Sequence, residues 1–218
     1  MGMLIGTSEG VFVANGRGAP SAADGLGGRS IRALCRANGG LLAGASDGVY
    51  RSGSGGRTWE RVGLDGQVVW EVAPAPQDEH LVYAGTCPPA LFRSRDGGGS
   101  WDEVALTSKV PGSERWCLPG NPNGGRARTI VVSPTDPARV HVGVEVGGLL
   151  STTNEGDSWT WSAPDGNPDI HIMVRHPERP QVLYMTTGRG RFDDSEPFDQ
   201  RIVGLFGSED DGRTWRYL

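Results

Sequence analysis

An eight-residue motif that recurs four times constrains this chain more than any other feature of its sequence. Every copy has the pattern hydroxyl, any, Asp/Asn/Ser, any, Gly, any, Ser/Thr, Trp, and the copies span 52–59, 94–101, 152–159 and 208–215. A short apolar segment precedes each copy and an aromatic or charged segment follows it. Each motif therefore predicts the turn of a β-hairpin, and the repetition predicts an array of similar units.

Each recurring residue type of the motif has a physical role in the turn. An acid or amide such as Asp96 accepts hydrogen bonds from backbone N–H groups just downstream, and the following glycine adopts the positive φ that other residues resist. The closing tryptophan has an apolar ring large enough to pack between neighbouring sheets. One copy carries Ser54 at the acid position, so we expect its turn to be held less firmly.

The motif resembles the Asp-box, or BNR repeat, of sialidases, xyloglucanases, sortilin-type receptors and photosystem II assembly propellers. The resemblance covers nearly the whole chain and implies an all-β fold, a β-propeller of four-stranded antiparallel blades. It also implies that the boxes close hairpins on the face away from any active site. Asp96 and Asp210 are therefore expected to be scaffold residues, not catalytic ones.

The spacing of the four tryptophans predicts about five blades in a single domain, because one propeller blade takes about 40–45 residues. The predicted blades are 1–28 (incomplete), 29–66, 67–106, 128–165 and 168–218, with insertions at 107–127 and 186–203. The families it resembles usually have six to eight blades, so a partial or open ring is favoured over a closed five-bladed one. An open ring exposes sheet edges, through which chains can pair into oligomers.

Composition narrows the classes of partner. The net charge of −5 is mild, and basic residues are scattered, so nucleic acid is not an expected partner. No apolar run is long enough to cross a membrane. The first residues show no signal-peptide pattern, and Cys35, Cys87 and Cys117 are odd in number without CxxC spacing. These features predict a cytoplasmic protein with free thiols.

Strand order places both insertions on one face, which we call the top face, opposite the boxes. Loops that project from one side of a rigid scaffold commonly carry function. Arg115 and Trp116 lie in the first insertion, and the second contains Asp193 and Asp194. Mixed charge with aromatic residues suits a polar ligand, because carboxylates bind hydroxyls, rings stack on sugars and arginines pair with anions. The alternative is that both insertions are solvated surface loops.

Inner-strand residues are expected to line the mouth of the central channel. Trp70, Glu71, Arg128 and His171 are so placed, and Glu145 lies in a neighbouring turn. A His, a Glu and an Arg that converge there could bind a metal or polarise a substrate. The alternative is that Arg128 and Glu145 simply pair while His171 caps a strand. No HExxH or paired-cysteine spacing occurs, so neither a metal nor a cofactor is predicted.

Two functions from different classes remain. The first is a non-catalytic scaffold that binds a small polar ligand or a protein partner on its top face, through Arg115, Trp116, Trp70, Arg128, Glu145 and His171. The second is a glycoside hydrolase-like enzyme, with Glu71, Glu145 and His171 as catalytic candidates. Sialidase activity is not expected, because the Arg-Ile-Pro motif of that family is absent and the four tyrosines fall on outer strands.

Overall fold

The computed structural model describes residues 2–116, 125–190 and 203–218, and within them the chain forms a partial β-propeller of five antiparallel sheets. The strands of the first two blades are β1 (Met3–Thr7), β2 (Gly10–Ala14), β3 (Ser21–Ala22), β4 (Ile31–Ala37), β5 (Gly40–Ala45), β6 (Gly48–Ser52) and β7 (Glu60–Gly63). Those of blade three are β8 (Val68–Ala75), β9 (Asp78–Cys87), β10 (Leu91–Ser94) and β11 (Asp102–Val104). Those of the last two are β12 (Arg126–Val132), β13 (Val140–Glu145), β14 (Gly148–Thr152), β15 (Thr160–Ser162), β16 (Ile170–Arg175), β17 (Leu183–Thr187), β18 (Leu205–Ser208) and β19 (Arg216–Tyr217).

Helical structure in these residues is limited to three short 3-10 turns, Thr107–Lys109, Ser113–Arg115 and Pro164–Gly166. None of the described segments forms a helix that is long and apolar enough to cross a membrane. In blades two to five the strands follow one another outward in chain order, so β4, β8, β12 and β16 are the innermost strands.

Neighbouring blades pack through apolar clusters and through glycines in the second strand of each blade. A Cβ atom on Gly85 would lie 2.2 Å from the carbonyl oxygen of Ala127, and one on Gly143 would lie 2.5 Å from Ile170 Cγ2. Because real Cβ atoms do not approach this closely, only glycine lets the inner strand of the next blade come so near.

The four repeated motifs adopt one turn geometry. The first hydroxyl accepts a hydrogen bond from the amide of the fifth residue, a glycine whose φ lies between +77° and +98° in the four copies. These bonds are 2.9, 2.7, 3.0 and 2.9 Å for Ser52–Gly56, Ser94–Gly98, Thr152–Gly156 and Ser208–Gly212. The third residue binds the seventh amide in every copy, and Ser54 does so at 2.9 Å, as Asp96 does. The departure at Ser54 therefore preserves this bond.

Blade one has three strands in the described residues. Leu4 of β1 contacts the motif glycine Gly56 of blade two, as Leu42 of β5 contacts Gly98 of blade three. Strand β1 therefore occupies the second position of its blade, and the edge that would face the innermost strand pairs with no described residue. Its backbone N–H and C=O groups are open to pairing along that edge.

The outer face of blade five is apolar and uncovered in the described residues. Ile172 and Val174 are 53% and 52% exposed, and Leu205 and Leu218 are exposed beside them. Thr186 pairs with Ile172 at the position where blades two to four carry the glycines of their second strands. A following blade could not pack here as closely as the other blades pack on one another. Thr186 has a branched side chain at the position where blades two to four have a glycine.

The turn at Asp96 provides a test of the scaffold role of the motif. Its carboxylate accepts bonds from the Ser100 amide at 2.9 Å, the Gly99 amide at 2.8 Å and the Ser100 hydroxyl at 2.7 Å. We expect Asp96→Ala to lower the free energy of unfolding by about 1–2 kcal/mol, because these donors lose their acceptor. Asp96→Asn, which introduces the residue type found at Asn154 in the third copy, should lower the free energy of unfolding by less. Urea titration measures both, and an Asp96→Ala variant as stable as the parent would contradict the scaffold role.

Candidate functional site

The same irregularity occurs in four consecutive inner strands. The register shifts between Ile31 and Ala33 in β4, between Val69 and Glu71 in β8, between Ala127 and Thr129 in β12, and between Ile170 and Ile172 in β16. The extra residues are Arg32, Trp70, Arg128 and His171. A β-bulge re-aims the side chain of its extra residue and is common beside binding sites. We call the end of the channel that carries these four residues the mouth.

Arginines from neighbouring blades stack on the indole of Trp70. The guanidinium carbon of Arg32 lies 4.3 Å from the ring centroid, that of Arg126 4.2 Å and that of Arg128 5.8 Å. Cation–π attraction favours this arrangement. Burial and the nearby charge of Arg126 lower the pKa of Arg32 below its usual value. The described residues contain no carboxylate that forms an ion pair with Arg32, whose Nη1 donates instead to the Ser30 hydroxyl at 2.7 Å.

Glu145, at the end of β13, is bound by two of these arginines. Arg126 Nη1 donates to its Oε2 at 2.8 Å, and Arg128 Nη1 donates to its Oε1 at 2.7 Å. The residue is only 7% exposed. A buried carboxylate needs such partners, because desolvation without them costs several kcal/mol. The structure therefore contains the Arg128–Glu145 pair and extends it to Arg126.

Asp169 precedes β16 and completes the cluster. The side chain of Asn167 accepts from the Asp169 amide at 2.9 Å, and the Gly190 amide donates to Asp169 Oδ2 at 2.6 Å. Oδ1 lies 3.2 Å from His171 Nε2 but makes no hydrogen bond of good geometry. Burial by itself raises the pKa of Asp169, but His171 and the Gly190 amide outweigh it, so the pKa is below its usual value. Asp169 is therefore ionised at neutral pH.

Glu145, Asp169 and His171 present ligand-type atoms that all lie within 4.8 Å of one another. His171 Nε2 is 3.7 Å from Glu145 Oε1. Such a set is compatible with a cation by residue type. However, Arg126 and Arg128 already neutralise Glu145, and a divalent ion would stand beside both guanidinium groups. The arrangement therefore favours an ion-pair network over a metal centre.

Glu71 follows the bulge of β8 and has an unusual environment. Burial raises the pKa of its carboxyl to about 7, although the Val72 amide, which donates to Oε1 at 3.2 Å, opposes the shift. The neighbouring thiol of Cys35 has a pKa of about 12, raised by burial and by the charge of Glu71. At neutral pH, Glu71 is therefore partly protonated and can donate a proton.

The structure separates the sequence-predicted residues into two groups. The bulges bring Trp70, Arg128 and His171 to the mouth, and Glu145 lies among them. Trp116 differs: it is 5% exposed and packs in the apolar cluster of blades three and four, so no face is available for stacking on a ligand. Arg115 is exposed beside it. Asp193 and Asp194 lie outside the described residues.

Two members of the cluster escaped the sequence analysis, Arg32 and Asp169, whereas Arg126 lies in the first insertion, which was expected on the top face. Arg32 could have been found by aligning the strand starts, since 31–33, 69–71, 127–129 and 170–172 each place the extra residue after a buried apolar one. Asp169 has no such signal, and nothing in the sequence marks Arg126 as a partner of Glu145. Arg126 and Asp169 reach the site because β12 begins opposite Glu145 and because the Asn167 turn fixes Asp169.

Comparison with known proteins supports the fold. No protein-family model matches the chain, and no curated protein matches its sequence. Among solved structures, an ancestral GH74 enzyme superposes with a TM-score of 0.72 at 17% identity, over 99% of this chain and 29% of that one. The extracellular domain of a proposed hybrid two component system from B. thetaiotaomicron gives 0.66 at 16% identity, over 99% and 26%.

The GH74 xyloglucanase from Xanthomonas campestris gives a TM-score of 0.57 at 18% identity, over 99% of this chain and 43% of that one. The chain thus spans less than half the length of these similar structures. They include both enzymes and a domain of a regulatory system, so they establish a β-propeller and leave the activity open.

The raised pKa of Glu71 has a consequence for stability. The folded protein holds this proton up to about pH 7, whereas an ordinary glutamate releases it near 4.5. Folding therefore takes up a proton between these values, and the contribution of Glu71 to stability is lost as the pH rises. We expect Glu71→Gln to stabilise the protein above pH 7 by up to about 3 kcal/mol, with a smaller effect near pH 4.5.

Urea denaturation at several pH values measures this difference. Glu103→Gln is the matched control, because Glu103 is exposed in the same blade. Parallel pH profiles for Glu71→Gln and the parent protein would show that burial does not raise the pKa of Glu71.

Proposed function

We propose that the mouth is the binding site for a small polar ligand that carries an acidic group, and that the blades are a rigid scaffold for it. The observation that carries the proposal is the alignment of four bulges, which brings Arg32, Trp70, Arg128 and His171 together. Bulges are over-represented next to active sites, where they re-aim a side chain.

Charge indicates the acidic group. The cluster contains three guanidinium groups, those of Arg32, Arg126 and Arg128, and the two carboxylates of Glu145 and Asp169. One positive charge is therefore uncompensated. Because Arg32 is exposed and its charge is disfavoured by Arg126, an anion beside it would relieve the repulsion. Guanidinium groups bind carboxylates through paired, charge-assisted hydrogen bonds.

The other side of the mouth suits hydroxyl groups. Asp169 Oδ1 is buried without a hydrogen bond, and the His171 side chain is 35% exposed beside it. A ligand hydroxyl could bond to this imidazole, which lies against the buried Asp169 oxygen. The proposed ligand is therefore a hydroxylated acid, such as a sugar acid, with its carboxylate toward Arg32 and its hydroxyls toward His171.

Glucuronate and glucose test this proposal, since both have hydroxyls and only the first has a carboxylate. We expect glucuronate to shift the His171 ring signals in NMR titrations, and glucose to bind at least about tenfold more weakly. Arg32→Gln should weaken glucuronate binding by about the same factor. Arg17→Gln, which changes an exposed arginine between β2 and β3 of blade one, should have no effect. Equal affinity for the two sugars, or an unchanged affinity in Arg32→Gln, would refute the proposal.

A second candidate is a glycoside hydrolase-like activity, and a specific observation favours it. The mouth contains an ionised carboxylate at Asp169 close to that of Glu145, and Glu71 is a carboxyl with a pKa of about 7. Glycosidases use one protonated and one ionised carboxyl group. Two of the similar structures belong to GH74 enzymes, one of them a xyloglucanase.

Release of reducing ends from xyloglucan tests the enzyme hypothesis. A hydrolase that used Glu71 as its acid would lose activity as the pH rises through about 7, because the proton it donates is then absent. Glu71→Gln would abolish the reaction, whereas Glu103→Gln would retain it. If the parent protein releases no reducing ends, the enzyme hypothesis fails and the binding proposal is unaffected.

A further inference from the structure

An arginine bridges neighbouring blades at two successive junctions. Arg51 of β6 donates to the carbonyl of Gly97, and Arg93 of β10 donates to the carbonyl of Glu155 at 3.2 Å. In both cases the acceptor is the fourth residue of the repeated motif in the next blade. The bridge therefore ties the third strand of one blade to the turn of the following blade.

The junction between blades four and five has no arginine in the third strand, and Arg139, just before β13, reaches the side chain of Asp211 instead. Arg51 pairs with Leu42 and Arg93 pairs with Tyr83 across the second and third strands, and the equivalent pair in blade four is Ser151 with His141. Serine is too short to reach the next blade. A cavity of about 330 Å³ opens at this place, and its walls include Arg139, His141, Ser151, Thr160, Asp211 and Arg213.

His141 is the most buried polar group of the cavity. It is 2% exposed, its Nδ1 lies 2.8 Å from the Ser151 hydroxyl, and its Nε2 has no hydrogen-bond partner. Burial, the largest effect, lowers the pKa of His141 to about 4, so the ring is neutral under physiological conditions. A buried ring nitrogen without a partner is costly, and Leu42 at the same position of blade two avoids that cost.

The charge of the cavity walls is positive. Asp211 is bound by Arg139 at 3.2 Å and by Arg175 at 2.6 Å, so two guanidinium groups share its single negative charge. Arg213 is exposed, and no ion pair of Arg213 occurs among the described residues. The excess of guanidinium groups, together with the hydroxyls of Ser151 and Thr160, provides donors for oxygen atoms of an anion.

We propose that the cavity between blades four and five is a second ligand site, which takes a small organic anion with a phosphate or carboxylate group. The anionic oxygens accept bonds from Arg139 and Arg213, and the rest of the ligand lies over Ser151 and His141, in the space that Arg51 and Arg93 fill at the two preceding junctions. This site is on the opposite side of blade four from the mouth and does not depend on the function proposed there.

Histidine NMR can test the two sites separately, because His141 reports on the cavity and His171 on the mouth. Inorganic phosphate, glucose 6-phosphate, glucuronate and glucose are the probes. We expect glucose 6-phosphate to shift the His141 ring signals and glucose to leave them unchanged. Inorganic phosphate and glucuronate then show whether phosphate or carboxylate is preferred. If none of the three anions moves the His141 signals, or if glucose moves them equally, the proposal is overturned.

Substitutions sharpen the test. Ser151→Arg introduces the side chain that Arg51 and Arg93 provide in blades two and three, so it should fill the cavity, abolish the His141 shift and leave the His171 response intact. Arg213→Gln should weaken binding by about fivefold to tenfold. The control is Arg57→Gln, because Arg57 occupies the same motif position in blade two. Should Ser151→Arg fail to fold, Arg213→Gln decides: an affinity equal to that of the control would overturn the proposal.

Discussion

The close approach of neighbouring blades at a glycine of the second strand is the constraint on which the rest of the structure depends. At Gly85 and Gly143 the inner strand of the next blade lies where a Cβ atom would be. This contact fixes the distance between inner strands, and it therefore fixes how near the bulge residues of adjacent blades can come. Arg32 and Arg126 reach the ring of Trp70 from the two blades beside it only because the three inner strands are held this close.

The charged residues of the mouth differ in how fully they are paired. Glu145 is neutralised by two arginines and is a structural centre of the cluster, whereas Asp169 keeps one oxygen without a hydrogen bond and Arg32 has no carboxylate among the described residues. A fully paired buried network adds rigidity, whereas a partly paired one leaves costly unsatisfied groups. The same contrast occurs at the blade junctions, where Arg51 and Arg93 complete a bridge that Ser151 cannot.

Much of the fold could be predicted from the sequence because its cause is local. Each repeated motif contains its own acceptor, its own positive-φ glycine and its own ring, so the hairpin turn forms without help from distant residues. The expectation of a weaker turn at Ser54 was too cautious for one bond. The Ser54 hydroxyl accepts from the amide of the seventh motif residue, as a carboxylate does in other copies. Trp116 shows what could not be predicted from the sequence. A tryptophan in a long connection is expected to be exposed, and only packing against blade four buries it.

The sequence by itself determined the all-β class and the number of blades, because strand alternation and turn chemistry depend on consecutive residues. The top face as the place of a functional site stays a prediction. The sequence also predicted that Arg128, Glu145 and His171 lie near one another. Tertiary structure alone decided that Arg32, Arg126 and Asp169 join them, that Glu71 is buried enough to hold a proton, and that Ser151 leaves a cavity. Each of these depends on the distance between two blades, and that distance is set by contacts between residues far apart in the chain.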